Sequence, residues 1–273
     1  MSTGRTPRGE MPDESKTDER ERTARMALSC IADAGDPLIS TEVGRIGAIE
    51  VLRSIIAGDH GPALAERARR VELTDLQAAI AAGRFRFVVP GEPEWPARLA
   101  DLDGLAPIQQ RGGVPYGLWL RGPALLNEIV DRSVAIVGSR AASDYGAQVA
   151  TEFGYELSSA GWAVVSGGAF GIDAAAHRGA LSAEAPTVGV LACGVDVCYP
   201  AGNATLLNQI GQDHLLVSEL PPGSHPTRVR FLSRNRLIAA LTVGTIVVEA
   251  AIRSGARNTA NWAGGPVSTH GWA

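Results

Sequence analysis

From about Ser133 onward the chain alternates short apolar runs with segments of helix length. The runs fall at Val134–Val137, Ala163–Val165, Thr187–Ala192, Leu215–Ser218 and Thr245–Glu249. Between the first two, Tyr145–Ala160 places Val149, Phe153 and Leu157 four residues apart, which is one face of a helix. Further helical segments are predicted near Asp173–Ser182, Ala204–Ile210, Leu232–Ala240 and Gly255–Trp262. Strand, helix, strand at this spacing requires right-handed crossovers, and apolar strands with little alternation belong in a sheet buried on both sides. The predicted fold is α/β: a Rossmann-like parallel sheet with helices on both faces, over residues 132–263.

Upstream the pattern changes twice. Residues 21–83 are rich in Ala and Leu at helical spacing, broken at Gly35-Asp36-Pro37 and Gly58–Pro62, and predict a small domain of several short helices. Residues 84–131 are punctuated by Pro90-Gly91, Pro107, Gly112-Gly113 and Gly122-Pro123. They read as a turn-rich connector with one or two short strands, at Arg86–Val89 and Gly117–Arg121. Residues 1–20 are polar and read as a flexible tail.

Composition narrows the class. Of 273 residues, 45% are hydrophobic and 20% charged, which is the globular range. No apolar run approaches the ~20 residues of a membrane span, and the N-terminus lacks the apolar segment of a secretory signal. Cys30, Cys193 and Cys198 are odd in number and without histidines at ligand spacing, so reduced thiols are expected rather than a metal site or a disulfide. Everything points to a cytoplasmic protein. The net charge of −4 does not announce a nucleic-acid binder. Between His225 and Ala260, however, six arginines (Arg228, Arg230, Arg234, Arg236, Arg253, Arg257) face one acid, Glu249. A solvated face and a phosphate-binding surface account for that stretch equally well.

Candidate chemistry lies where the strands end, since ligands of doubly wound sheets sit outside the carboxyl ends of the strands. The first run ends Gly138-Ser139-Arg140, followed by Ser143 as an N-cap. Free amides of a helix start make an anion site, and Arg140 adds a bidentate donor. Neither the dinucleotide fingerprint nor a Walker A loop is present, and no cofactor is implied. The second run ends Ser166-Gly167-Gly168-Ala169-Phe170-Gly171, a glycine-rich nest in which Phe170 either stacks on a base or packs under the loop. Asp173 and His177, one turn apart, are able to share a hydrogen bond. No nucleophile accompanies them, so a structural pair fits better than a catalytic one, and no catalytic residue is assigned. Arg234-Asn235-Arg236 suit phosphate contacts, the two arginines pointing to different faces, one toward a ligand and the other toward a structural ion-pair partner. Ser254-Gly255 offer another helix start near the same crevice.

Together, Val134–Arg140 (VAIVGSR), Tyr145-Gly146, Val164–Asp173 (VVSGGAFGID), Ala176-His177, Tyr199-Pro200 with Asn203, Ser218-Glu219, Arg234–Ile238 (RNRLI) and Val247–Ala250 with Ser254-Gly255 resemble the DNA-processing protein A (DprA/Smf) family. The likeness runs from about Arg132 to Trp262. It implies a Rossmann-like domain that binds single-stranded DNA, protects incoming strands in natural transformation and competence, and loads the RecA recombinase. It also implies a SAM-like character for residues 21–83. Arg140 resembles the family's phosphate-contacting arginine, Ser166–Gly168 its pocket loop, and Arg234–Arg236 its RNR element. Phe170 stands where many relatives carry Lys or Arg. The family forms a homodimer partly through a region beyond the last helix, which residues 264–273 do not match, so a shortened form is expected and the dimer is in question.

Two rival functions compete. Nucleotide N-glycoside hydrolases of the LOG type also combine glycine-rich nests with a strand-end glutamate, here Glu249, but their PGGxGT element is missing. A scaffold that keeps the fold without DNA affinity is the other. The DNA-binding expectation demands that Arg140, Gly168 and Arg234 converge on one rim of the sheet.

Overall fold

The computed structural model describes residues 14–250 and 255–264. Five helices open the chain: α1 (Glu14–Ile31), α2 (Pro37–Ile46), α3 (Ala48–Ala57), α4 (Pro62–Arg70) and α5 (Thr74–Ala81). The first begins inside the segment expected to be a tail; residues 1–13 lie outside the described part. Asp36 caps α2, its carboxylate accepting from the Leu38 and Ile39 amides. Gly58 ends α3 in the left-handed region (φ 105°), which costs glycine nothing.

Strands β1 (Arg86–Val88) and β2 (Leu118–Arg121) follow, then α6 (Leu126–Asp131) and β3 (Ser133–Gly138). The remainder alternates as expected: α7 (Asp144–Ser159), β4 (Ala163–Ser166), α8 (Ile172–Ser182), β5 (Thr187–Val190), α9 (Ala204–Asp213), β6 (Leu215–Ser218), α10 (Arg228–Ala240), β7 (Thr245–Val248) and α11 (Gly255–Ala263). All seven strands form one sheet in the order β1-β2-β6-β5-β4-β3-β7. The five from β3 to β7 are parallel, whereas β2 runs antiparallel to β6 and β1 antiparallel to β2. The stretch expected to be a connector is therefore the edge of the main sheet.

Alternate strand residues feed opposite layers. Ala135, Val137, Val165, Val188 and Val217 pack with Leu237, Ile238 and Trp262 on the side of α10 and α11. Ile136 and Val164 pack with Ala150, Ala175 and Ala176 of α7 and α8 on the other. The N-terminal helices join this body through α1. Met26 lies in one cluster with Phe87 and Trp119, and the Trp119 indole donates to Ser29 Oγ at 3.3 Å.

From β3 the chain steps outward through β4, β5 and β6, then returns to place β7 on the other side of β3. The strand order reverses between β3 and β7, and such switch points are where ligands of open α/β sheets sit.

Candidate nucleic-acid interface

The three groups required to converge do so. Gly138 ends β3 beside β7, where any Cβ would collide with the Val248 carbonyl. Arg140, two residues on, is exposed, and its guanidinium stands over the Phe231 ring, 4.4 Å from the centroid. Arg234 approaches the same ring at 5.9 Å and is 6% exposed. Gly167 packs directly on the Arg234 guanidinium, so no side chain fits there. Gly168, at φ 65°, continues the loop. Ser139 is held at the switch point: its amide donates to Glu249 O at 2.7 Å, and its carbonyl accepts from Ile172 N at 3.1 Å.

Two of the backbone anion seats that the sequence offered are filled by the chain's own carboxylates. At the start of α7, Ser143 N donates to Glu249 Oε1 and Oε2 at 3.1 and 3.0 Å, and Ser143 Oγ donates to Oε2 at 2.7 Å. Ser143 Oγ also caps the helix by accepting from Gly146 N at 3.0 Å. In the loop after β4, Asp173 Oδ2 accepts from Gly167 N at 3.1 Å and Ala169 N at 3.4 Å. Glu249, the strand-end carboxylate that kept a hydrolase in view, is thus engaged as a helix cap.

Several expected contacts turn inward. Ser166 is fully buried and donates its hydroxyl to the Ile136 carbonyl at 2.6 Å. Arg236, also fully buried, forms a fork with Glu219 at 2.8 and 2.7 Å and donates to the Ser233 and Gly113 carbonyls. It is an internal strut, since a buried guanidinium survives only where its donors are paired. Asn235 faces α11, its amide donating to Gly255 O and Asn258 Oδ1, each at 3.2 Å. Gly255 is therefore part of that helix contact, and Ser254 lies outside the described residues, as do residues 265–273. Asp173 and His177 do not bond to each other, because His177 Nδ1 pairs with Thr187 Oγ1 at 2.7 Å. Phe170 divides between its two expected roles: it is 48% exposed, with its ring resting on Gly202.

Burial governs the electrostatics. It brings Arg234 down to about 10, against the pull of Asp173 and with the help of Arg140, so the guanidinium stays charged at neutral pH. Burial raises the Asp173 carboxyl, opposed by Arg234 and by the Ala169 and Gly167 amides. His177 falls to about 3, through burial first and then the Arg234 charge, and is neutral. Arg234 donates only to Val190 O, at 2.5 Å, among the bonds resolved. The floor of the site carries the buried Arg234 guanidinium with the Asp173 carboxyl as its counterweight, and its rim carries Arg140.

The sequence reasoning missed Tyr199 and Phe231 as site members. Their rings lie 5.9 Å apart, and Tyr199 is 43% exposed. Tyr199 occurs in a stretch already singled out, Tyr199-Pro200, whereas Phe231 lies inside α10, three residues before the RNR element. Phe231 is held because α10 starts earlier than its apolar spacing implied, with Thr227 capping through Arg230 N.

The model of the DNA recombination-mediator protein A family matches residues 86–266. A putative DNA processing protein DprA of Mycobacterium tuberculosis is 44% identical over 243 residues, covering 86% of this chain and 62% of the relative. The chain thus spans less than two thirds of that relative's length. The crystal structure of DprA from Streptococcus pneumoniae superposes with a TM-score of 0.70 at 29% identity, covering 89% of this chain and 82% of that one. DNA processing protein A of Helicobacter pylori, solved to describe its single-stranded DNA binding mode, superposes at 0.56 with 29% identity, covering 66% and 76%.

Proposed function

The chain belongs to the DNA recombination-mediator protein A family, and from that membership we propose that it binds single-stranded DNA, without chemical turnover, at the carboxyl rim of its sheet. Arg140 contacts a phosphate. Phe170, Tyr199 and Phe231 offer ring faces to bases, Ser139 sits beside Arg140 at the end of β3, and Gly138, Gly167 and Gly168 let Val248, Arg234 and Leu207 pack close beneath the loops that would meet the strand. Arg234 adds positive potential from beneath. Single-strand recognition suits this surface because aromatic faces stack on any base, while sequence readout needs convergent side-chain forks. The observation that carries the reading is Arg140, exposed, braced by an aromatic ring and without an ion pair among the described residues. Protection of incoming strands in natural transformation, delivery to RecA recombinase in the cytoplasm and assembly with a second copy extend this reading along family lines.

Titrating a labelled single-stranded oligonucleotide at several salt concentrations tests it. Arg140→Ala is expected to weaken binding about tenfold across sequences and to reduce the salt slope by about 0.7. Affinity and slope equal to the parent's would put the phosphate contact elsewhere.

A further inference from the structure

The loop that leaves β5 contains two of the three cysteines, and the function described above uses neither. Residues 194–197 form a hydrogen-bonded turn, Val197 N donating to Gly194 O at 2.9 Å. Such a turn brings its ends within ~7 Å, and Cys193 and Cys198 flank it on either side. Cys193 Sγ donates to Val197 O at 3.2 Å. That carbonyl belongs to the peptide unit leading into Cys198, so the sulfur lies within roughly 6 Å of the Cys198 Cα. Disulfides join residues whose Cα atoms are about 4.4–6.8 Å apart, and the Cys193 sulfur already rests against the peptide that carries Cys198. Both thiols are free, Cys193 buried and Cys198 half-buried.

We infer that Cys193 and Cys198 are a peroxide-sensitive thiol pair whose disulfide closes a ring around the turn at residues 194–197. Cys198 is the more accessible and reacts first. Its sulfur attacks hydrogen peroxide, the O–O bond breaks, and Cys198 becomes a sulfenic acid as water leaves. The Cys193 sulfur then attacks the Cys198 sulfur, the S–O bond breaks, and a second water carries away the hydroxyl and the Cys193 proton. Two thiols are oxidised and one peroxide is reduced. Burial pushes the Cys193 thiol up to about 11, so little of it is thiolate and the peroxide meets Cys198 first.

The turn itself is braced from outside. Gly194 N donates to Ser224 O at 2.9 Å, and Gly223 N donates to the Asp196 carboxylate at 2.8 and 3.0 Å. Adjustment on oxidation therefore falls on Cys198, which gives up its contact with Asn208 Oδ1 at 3.4 Å, and on its neighbour Tyr199. Tyr199 lies against Phe231 with the rings tilted by 50°, and Phe231 is the ring beneath Arg140. The bridge thus reports to the proposed DNA surface, and this consequence, unlike the bridge itself, rests on the proposed function.

The test uses the full chain, reduced, desalted and exposed to stoichiometric hydrogen peroxide. One tryptic peptide, Gly179–Arg228, carries both cysteines. It is expected to lose the mass of two hydrogens and to resist alkylation until reduced, while Cys30 stays alkylatable. Cys198→Ser should abolish the change. A Cys198 sulfinic acid, or a link between chains through Cys30, with no bridge inside the peptide, overturns the pairing. Oligonucleotide affinity is then compared between the two states. A several-fold change that dithiothreitol reverses, absent in Cys198→Ser, supports the link to the surface, and equal affinity overturns it. Should neither state bind oligonucleotide, the functional reading fails while a mapped bridge still stands.

Discussion

Two neighbouring regions of the carboxyl rim treat charge in opposite ways. At the start of α7 and in the loop before α8, backbone amides that sequence logic offered to a ligand are met by Glu249 and Asp173. Around Phe231, the guanidinium of Arg140 faces an aromatic ring and solvent. The first region spends its polarity on architecture and holds the glycine-rich loop in place. The second leaves an exposed guanidinium without an ion pair among the described residues. A helix start is thus an anion site in principle, but whether it serves a ligand depends on what the rest of the chain brings to it. Substitutions in the first region should cost stability, and those in the second should cost binding.

The largest effect is expected at Asp173. Asp173→Ala strips the carboxylate from the Gly167 and Ala169 amides and leaves the buried Arg234 charge without its counterweight. Losing one partner of such a buried arrangement typically costs about 3–5 kcal/mol. Urea unfolding should register it, with Asp173→Asn intermediate because size returns without charge. Full stability in the alanine variant would mean that the loop is held by packing alone.

Acid should unfold the same floor through His177. Its value of about 3 in the folded protein lies below the ordinary 6.5, so between those limits the unfolded chain binds the extra proton and stability falls as pH falls. From pH 6.5 to 5 the loss should be about 2 kcal/mol. Asp173, raised above its ordinary 3.8, works in the opposite sense where it titrates. Urea midpoints at the two pH values, with His177→Gln flattening the difference, check this. An unchanged slope in the variant would assign the acid sensitivity to other groups.

Much of this was legible in the chain, for reasons that differ by region. The inner parallel strands β4, β5 and β6 announced themselves because both faces of each are buried, which forces near-continuous apolar runs, while β7 keeps an apolar run at the sheet edge with Val247 exposed. The exposed place of Arg140 was legible because it follows a glycine that ends an apolar strand run. The sense of α10 was not. Its SRNR stretch reads as a polar surface, yet Ser233, Arg234, Asn235 and Arg236 are all buried. Arg236 is stable there only because Glu219, seventeen positions earlier, closes its fork, and no local pattern reveals a partner at that distance. The filling of the α7 seat by Glu249 was hidden for the same reason, at a separation of 106 residues. Likewise β1 and β2, short and broken by turns, gain their place in the sheet only from β6.

In the second region, Phe231→Leu removes the ring that Arg140 stands over and that the tilted Tyr199 ring lies against. Base–aromatic stacking is worth ~1–3 kcal/mol, so oligonucleotide affinity should fall on the order of tenfold. The half-buried leucine keeps most of the packing, and the unfolding midpoint should hardly move. A variant that loses stability and keeps its affinity would exchange the roles of the two regions.

The smallest effect, and the sharpest test of the contrast, comes from Ser143. Ser143→Ala deletes the acceptor for Gly146 N and one donor to Glu249, while the Ser143 amide still holds the carboxylate. Loss of an N-cap costs about 1 kcal/mol, readable as a shift in the urea midpoint. Oligonucleotide affinity should stay at the parent value, since the seat remains filled. Glu249→Gln separates the alternatives. If the start of α7 serves architecture alone, neutralising the cap leaves affinity and salt slope unchanged. If the carboxylate instead competes with a phosphate for that seat, removing its charge should tighten binding and steepen the salt dependence, and the first region would then belong to the binding surface after all.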